Sequence, residues 1–431
     1  MIKLIKLTFV LLLISWHTIA QEQNLKDRAL DQFKKEQYEE AIKLLEKALE
    51  KNNDDPELYY YLGFFNHYRA YDSRPLAGYD FSYSKKIFEY LDKAIELKPD
   101  YGDAKYFYGA ECSANAFNAM QDYELDSLKY FYKLAYKKGA YPKWLLEFGR
   151  NFLNSCEENA ILFAGGNADF DVCTYLQLHE NYRNDITIIP VGFISRPWYI
   201  LFLKNGLEGG VKNIDINLSE KQIMDIHAYK WDTTTVSIPV SQENKNKYKL
   251  DNDFTMQWTV TPDFVSNRIH RKINQEKSKK RKYLSPRRAM LLQIIEDNYK
   301  QRPIYFSNFA NHFFYAGLNS FFRNCGLTSE LLPFKTKGTE FSYNYKKIQE
   351  LLKDNNLQDY HTVKKQDIPR ISGIALSGYG SSIVSLAQHY SNTENEQKLK
   401  QLIEFYKKHI LLDFNKKYEE FYLDELEKLN N

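Results

Sequence analysis

Few residues in this chain have the types and spacing that chemistry needs. The best group is Gly165-Gly166-Asn167-Ala168-Asp169, which follows the apolar run Ala160 to Ala164 and precedes a helical stretch. A glycine turn between the carboxyl end of a strand and the start of a helix presents backbone N–H groups and the positive helix end, a setting for an anion or a sugar hydroxyl. The same residues suit any tight strand-to-helix turn, in which Asp169 or Asp171 caps the helix and Asp169→Ser is tolerated. The spacing is neither that of a phosphate-binding loop nor that of a dinucleotide fingerprint. Arg302, ahead of Pro303-Ile304-Tyr305-Phe306, could contact an anionic ligand near the strand ends or form a structural ion pair. The expected ligand-binding set is therefore Gly165, Gly166, Asn167, Asp169 and Arg302.

Other reactive side chains stand alone. Cys173 lies two residues after Asp171, where a helix amino terminus could activate a thiolate, but no local signature supplies a base. His227, His270, His312 and His389 have no paired spacing, so no metal site, catalytic residue or cofactor is expected. Gly378-Tyr379-Gly380-Ser381-Ser382 reads as a helix start with a serine cap. Cys112, Cys156, Cys173 and Cys325 lack the spacing of a zinc site and read as buried free thiols.

The elements that must position these residues fall into three stretches. From Leu25 to Arg150 apolar residues recur at three-to-four-residue intervals, as in Ala29, Phe33, Tyr38, Ala41, Leu44, Leu45 and Ala48. Asp55 can cap the helix that Pro56 begins, and 43 residues separate Pro56 from Pro99 and Pro99 from Pro142. A tetratricopeptide unit is about 34 residues, so each unit here carries about nine more, in the first case around Tyr71 to Pro75. Gly63, Gly109 and Ala110 are the small residues that paired helices need where they approach. Beyond residue 160 the period changes. Ile161-Leu162-Phe163-Ala164, a helix through Tyr175 and Leu178, and Ile186 to Val191 make a parallel strand–helix–strand unit. Further strands are expected at Thr233 to Val240, Phe254 to Thr261 and Pro303 to Phe306, with a helix over Arg287 to Tyr299. From Ser377 onward Leu386, Ala387, Leu399, Leu402, Ile403 and Phe405 predict a closing helical hairpin.

Composition bounds the partners. The 59 basic and 56 acidic residues nearly balance, which disfavours a dedicated polyanion binder and, with export, nucleic acid. Lys3 and Lys6, the apolar stretch Leu7 to Ile14 and Thr18-Ile19-Ala20 form a leader expected to be cleaved after Ala20, which places the mature chain in the periplasm or otherwise outside the cytoplasm. No downstream apolar run reaches the roughly 18 residues of a spanning helix. The basic run Lys277 to Lys282 gives at most weak contact with an anionic membrane surface.

The segments around Ile161 and Arg302 resemble the soluble periplasmic half of a Gram-negative family of large, protein O-mannosyltransferase-like membrane proteins. The likeness lies in Ile161 to Asp169 with Tyr175-Leu176-Gln177, in Tyr182-Arg183-Asn184-Asp185, Trp198-Tyr199-Ile200 and Arg302 to Phe306, and in a tail from Tyr379 through Leu386-Ala387. It covers roughly residues 155 to 410. The membrane-embedded half, to which the family's sugar transfer is ascribed, has no counterpart here; a repeat array stands in its place, so no transferase activity is carried over. Asn167 and Ala168 also depart from the acidic and Asn side chains usual in the family's loop.

The expected fold class is α plus α/β. A leader (1–20) precedes a tetratricopeptide-like helical-repeat solenoid (21–152), a mixed α/β domain with a βαβ unit (153–370) and a C-terminal helical repeat (371–431). The function this implies is an exported scaffold or adaptor that holds a protein or peptide partner on its repeats, with a possible glycan ligand. Its rival is a carbohydrate-active or hydrolytic enzyme centred on Gly165 to Asp169, which requires Asp169 to meet a second titratable side chain in a pocket.

Overall fold

A computed structural model of the chain describes residues 23–73, 78–166, 168–263, 283–363 and 369–430. The leader, Asn167, His270, the basic run Lys277 to Lys282 and part of the Tyr71-to-Pro75 segment lie outside the described residues. The chain divides into two compact units, one of residues up to Asn115 with 137–140 and 366–369, the other of 116–136, 141–365 and 370–431.

The first unit is helical. Residues 23–34 form α1, followed by α2 (Tyr38–Leu49), α3 (Pro56–Ser73), α4 (Ser84–Leu97) and the first turns of α5 (Gly102–Gln121). Asp55 accepts a bond from the Glu57 amide at 2.8 Å and Pro56 occupies the first turn of α3, as the sequence predicts. In α2 one apolar stripe, Ala41, Leu44, Leu45 and Ala48, is buried, and each leucine withdrawn from water contributes roughly 1.5–3 kcal/mol. Gly63 lets α3 and α4 touch: a Cβ there would meet Leu91 at 2.6 Å. Gly109 plays the same part against Ala140, at 2.8 Å.

The second unit opens with the end of α5, α6 (Leu125–Lys137) and α7 (Lys143–Asn154). The helical pattern continues to α7, but compactness assigns α7 to the α/β unit because it packs on the βαβ helix. A Cβ on Gly149 of α7 would stand 3.0–3.2 Å from Leu176 and Val172. Next come β1 (Ile161–Ala164), α8 (Asp171–Glu180), β2 (Thr187–Pro190) and α9 (Pro197–Asn205), then β3 (Tyr229–Lys230), β4 (Thr234–Pro239), β5 (Thr255–Val260), β6 (Tyr283–Leu284), the helix Pro286–Asn298, β7 (Ile304–Ser307), β8 (Phe322–Asn324) and β9 (Thr328–Leu331).

The main sheet has the order β2-β1-β7-β9-β8. β1 runs parallel to both β2 and β7, with Ile161 opposite Thr187 and Ile304, whereas β9 is antiparallel to β7 and β8. All four residues of β1, β2 and β7 are buried, as parallel strands covered on both faces require. The expected strands β4 and β5 pair only with each other, antiparallel, in a separate two-stranded sheet.

Three helices close the unit: Pro369–Asn392, Glu396–His409 and Lys416–Asn430. This corrects the reading of Gly378 to Ser382 as a helix start, since these residues lie in mid-helix. Their glycines serve close packing instead. A Cβ at Gly378 would meet the Phe309 ring at 2.7 Å and one at Gly380 the Tyr422 ring at 2.5 Å, while the Ser382 hydroxyl bonds back to the Gly378 carbonyl at 2.7 Å. Among the described residues no helix is long and apolar enough to cross a membrane.

Candidate functional site

The expected ligand-binding residues do not meet. Arg302 precedes β7, at the amino end of the parallel strands, while the glycine loop follows β1 at their carboxyl end. Arg302 is buried, and its guanidinium donates to the carbonyls of Asn159 (2.8 Å), Asn213 (3.1 Å) and Ala160 (3.0 Å) and to the Thr187 hydroxyl (2.9 Å). Burial pulls it down to about 10. The anticipated ion pair is replaced by a clasp that ties Asn159, Ala160, Thr187 and Asn213 together.

Asp169 is 1% exposed and also turned inward. Its two carboxylate oxygens accept from the amides of Gly165 and Gly166, both at 2.8 Å, and it bonds the Ser307 side chain. Burial pushes its carboxyl above the usual aspartate range, against the pull of Ser307 and the two amides. It is not the cap of α8: Phe170 holds that position and no side chain caps it. Among the described residues no titratable side chain hydrogen-bonds to Asp169, so the juxtaposition that the enzymatic rival requires is not formed. Cys173 is buried as well. Its thiol donates to the Gly149 carbonyl at 3.6 Å and burial pushes it well above the usual range, opposite to an activated thiolate. The four cysteines are buried and none is in a disulfide. His227 is exposed and His389 stacks on Tyr345 at 3.9 Å; the described residues hold no cluster suited to a metal ion.

The carboxyl edge of the strands nevertheless has the topology of a binding crevice. The chain leaves β1 for β2 on one side and returns to β7 on the other, so its direction reverses between β1 and β7. The loops after these strands are in contact, since a Cβ on Gly165 would stand 3.2 Å from the Ala310 backbone. Around Gly166 and Gly192 the space is open.

Two arginines that the sequence reading passed over come to this edge. Arg196 is the residue before α9, with Pro197 in the first turn, and its guanidinium lies 4.6 Å from the centre of the Phe193 ring. Arg287 stands in the first turn of Pro286–Asn298, 4.3 Å from the Phe314 ring. Burial pulls the Arg287 guanidinium down, the Asp263 charge raises it, and the charge of Arg196 lowers it further. The Arg287 Nε is buried with no acceptor. The shared signal is a Ser beside an Arg–Pro or Pro–Arg pair, Ser195-Arg196-Pro197 and Ser285-Pro286-Arg287, because proline marks a helix's first turn.

A second concavity of the same unit is apolar. A cavity of 480 Å³ lies among Trp231, Val236, Ile238, Trp258, Leu284 and Met290, a size within the range of about 300–1,000 Å³ usual for small-molecule sites. Both indole N–H groups are engaged, Trp231 with the Val260 carbonyl at 3.0 Å and Trp258 with that of Ala316 at 3.1 Å.

In the repeat unit the side chains that stand out are aromatic. The helices α1, α3 and α5 are linked ring to ring, Phe33 to Phe64 at 4.8 Å and Phe64 to Phe107 at 4.5 Å. Phe33, Tyr61 and Tyr68 remain half-buried. Behind this row is a buried polar cluster absent from the sequence reading. The Glu111 carboxylate, fully buried, accepts from His67 Nδ1 at 2.8 Å, from the Ser84 hydroxyl at 2.5 Å, from Asn115 at 3.2 Å and from the Tyr79 hydroxyl. Burial alone would raise the Glu111 carboxyl; the His67 ring, then the two hydroxyls, outweigh burial and hold it below the usual range.

Comparison with known proteins agrees with this division. The family described as TMEM260-associated domain 2 matches residues 145–278 and 233–350. That described as TPR repeat matches residues 31–67. The chain thus carries a tetratricopeptide repeat near its amino terminus and a TMEM260-associated domain in its C-terminal part. No curated protein matches it.

Proposed function

We propose that this protein is an exported, periplasmic scaffold whose helical repeats hold a protein or peptide partner, while its α/β domain adds a second recognition surface in an envelope glycan or protein-glycosylation setting. The row of aromatic rings through α1, α3 and α5, in a segment that matches a tetratricopeptide repeat, carries the reading. Half-buried tyrosines offer large contact area and a polar tip at little entropic cost, which suits a peptide-binding face. The TMEM260-associated domain supports the glycosylation setting, and the leader supports export.

Cross-linking of the tagged protein in envelope extracts, followed by mass spectrometry, tests the partner claim. A partner recovered with the wild type is expected to be lost with Tyr61→Ala/Tyr68→Ala, at unchanged helical content. Undiminished recovery with that variant would remove the repeats from the interaction. Export is tested by amino-terminal sequencing: the mature chain is expected to begin at Gln21, and a chain that retains Met1 would contradict it.

A further inference from the structure

We infer that the apolar cavity of the α/β domain binds a small organic cation, an ammonium whose nitrogen carries apolar groups. The inference stands apart from the partner proposed for the repeats and from the glycan setting. The cavity, of 480 Å³, lies where the β3–β6 and β4–β5 pairs meet the helix Pro286–Asn298, and Tyr229, Trp231 and Trp258 all line it. What these walls offer decides the ligand. Both indole N–H groups are engaged by the Val260 and Ala316 carbonyls, so the two tryptophans present ring faces and apolar edges but no donor. The side-chain amide of Gln293, another lining residue, donates to Asp297 at 3.0 Å. A sugar or an anion therefore finds only the Ser237 and Tyr229 hydroxyls as free side-chain donors. The one charged lining residue, Glu296, repels an anion.

Charge and ring faces both call for a cation. The Glu296 carboxylate is exposed and, among the described residues, has no ion-pair or hydrogen-bond partner. It stands in the last turn of the 13-residue helix Pro286–Asn298, a turn that carries no basic residue. The carbonyl end of a helix favours a cation, yet Glu296 and Asp297 occupy it here. Lys300, beyond the helix end, lines a different cavity. Among the described residues no lysine or arginine lies over the rings of Tyr229, Trp231 or Trp258. An aromatic face attracts a cation within about 6 Å of its centre, tryptophan most strongly. A primary ammonium would bring three N–H donors to a cavity with one carboxylate to accept them. An alkylated nitrogen needs fewer acceptors, and its apolar groups suit the walls that Val236, Ile238 and Met290 complete.

Isothermal titration of the full chain with choline and with its uncharged isostere, in which carbon replaces the nitrogen, tests this at constant ionic strength. Saturable binding of choline at one site per chain is expected, roughly tenfold tighter than that of the isostere, as a partly desolvated cation over aromatic faces gives. Trp231→Leu keeps an apolar wall but removes the ring, so it is expected to weaken choline about tenfold and to leave the isostere within about threefold. Glu296→Gln, at an exposed position, is expected to weaken choline about threefold and the isostere not at all. Absence of saturable choline binding in the wild type, equal affinity for choline and the isostere, or unchanged choline affinity in a folded Trp231→Leu would overturn the inference. Should that variant not fold, unchanged choline affinity in Glu296→Gln would do the same.

Discussion

Two arginines of the α/β domain, Arg302 and Arg287, occupy opposite ends of the same parallel strands and are treated in opposite ways. Arg302, at the amino end, is clasped by three carbonyls and a hydroxyl, which engage four of its five N–H groups. Arg287, at the carboxyl end, is half-buried over a ring, beside another arginine, with its Nε unpaired. Burial lowers both. Only the first has partners that offset the cost of removing a charge from water. In an open α/β sheet, stability resides where loops are tied together and recognition resides where the strands end and helices begin. The two arginines mark that division within one molecule.

The largest effect is expected where the clasp is broken. Arg302→Met removes the four hydrogen bonds that tie Asn159, Ala160, Thr187 and Asn213 together and is expected to cost about 3 kcal/mol, read from urea denaturation; a cost near zero would remove the structural half of the comparison. At the other end Asp169→Ser is expected to cost about 2 kcal/mol, since a hydroxyl cannot reach both the Gly165 and Gly166 amides. Tolerance of that change would return Asp169 to the role of a helix cap and reopen its availability to a ligand.

The repeat unit offers a carboxylate to set against Asp169. Glu111→Gln is expected to destabilise by about 2 kcal/mol at neutral pH through the disturbed bonds of His67, Ser84 and Tyr79. The folded-state pKa of Glu111 lies below its ordinary value of 4.5, so the unfolded chain takes up this proton first as pH falls. Its contribution is then complete above about pH 4.5 and lost as pH drops through the depressed value. Denaturation midpoints of wild type and variant should converge below pH 4.5. Asp169 is shifted the other way: its share favours the folded state at low pH and is lost as pH rises through its raised value. A gap between wild type and Glu111→Gln that stays constant down to pH 3 would contradict the assignment of Glu111.

What the sequence revealed follows from how local each signal is. Asp55-Pro56, the 43-residue proline interval and Gly63 concern neighbouring turns or paired helices, and the helices stand where these place them. The βαβ unit was legible because Ile161 to Ala164 and Ile186 to Val191 are unbroken apolar runs. The strand β9 was not, because Thr328-Ser329-Glu330 reads as polar surface. It is buried through pairing at a distance, Glu330 with Arg323 and Ser329 with Asn308. Gly378 and Gly380 resemble a turn in sequence, yet the rings they accommodate, Phe309 and Tyr422, lie tens of residues away. The candidate site shows the same limit. The glycine loop announced itself by local spacing, whereas Arg196 and Arg287 are separated by a long stretch of chain and acquire meaning only when the sheet brings their loops to one edge.

The smallest stability effect belongs to Arg287→Met, expected within about 0.5 kcal/mol of wild type because an unpaired, half-buried charge is exchanged for an apolar side chain. That contrast supplies the most direct test. Thermal unfolding of wild type, Arg302→Lys and Arg287→Met is followed at matched pH and ionic strength. The account predicts that Arg302→Lys melts well below wild type while Arg287→Met melts near it. Arg287→Met melting as far below wild type as Arg302→Lys would contradict it.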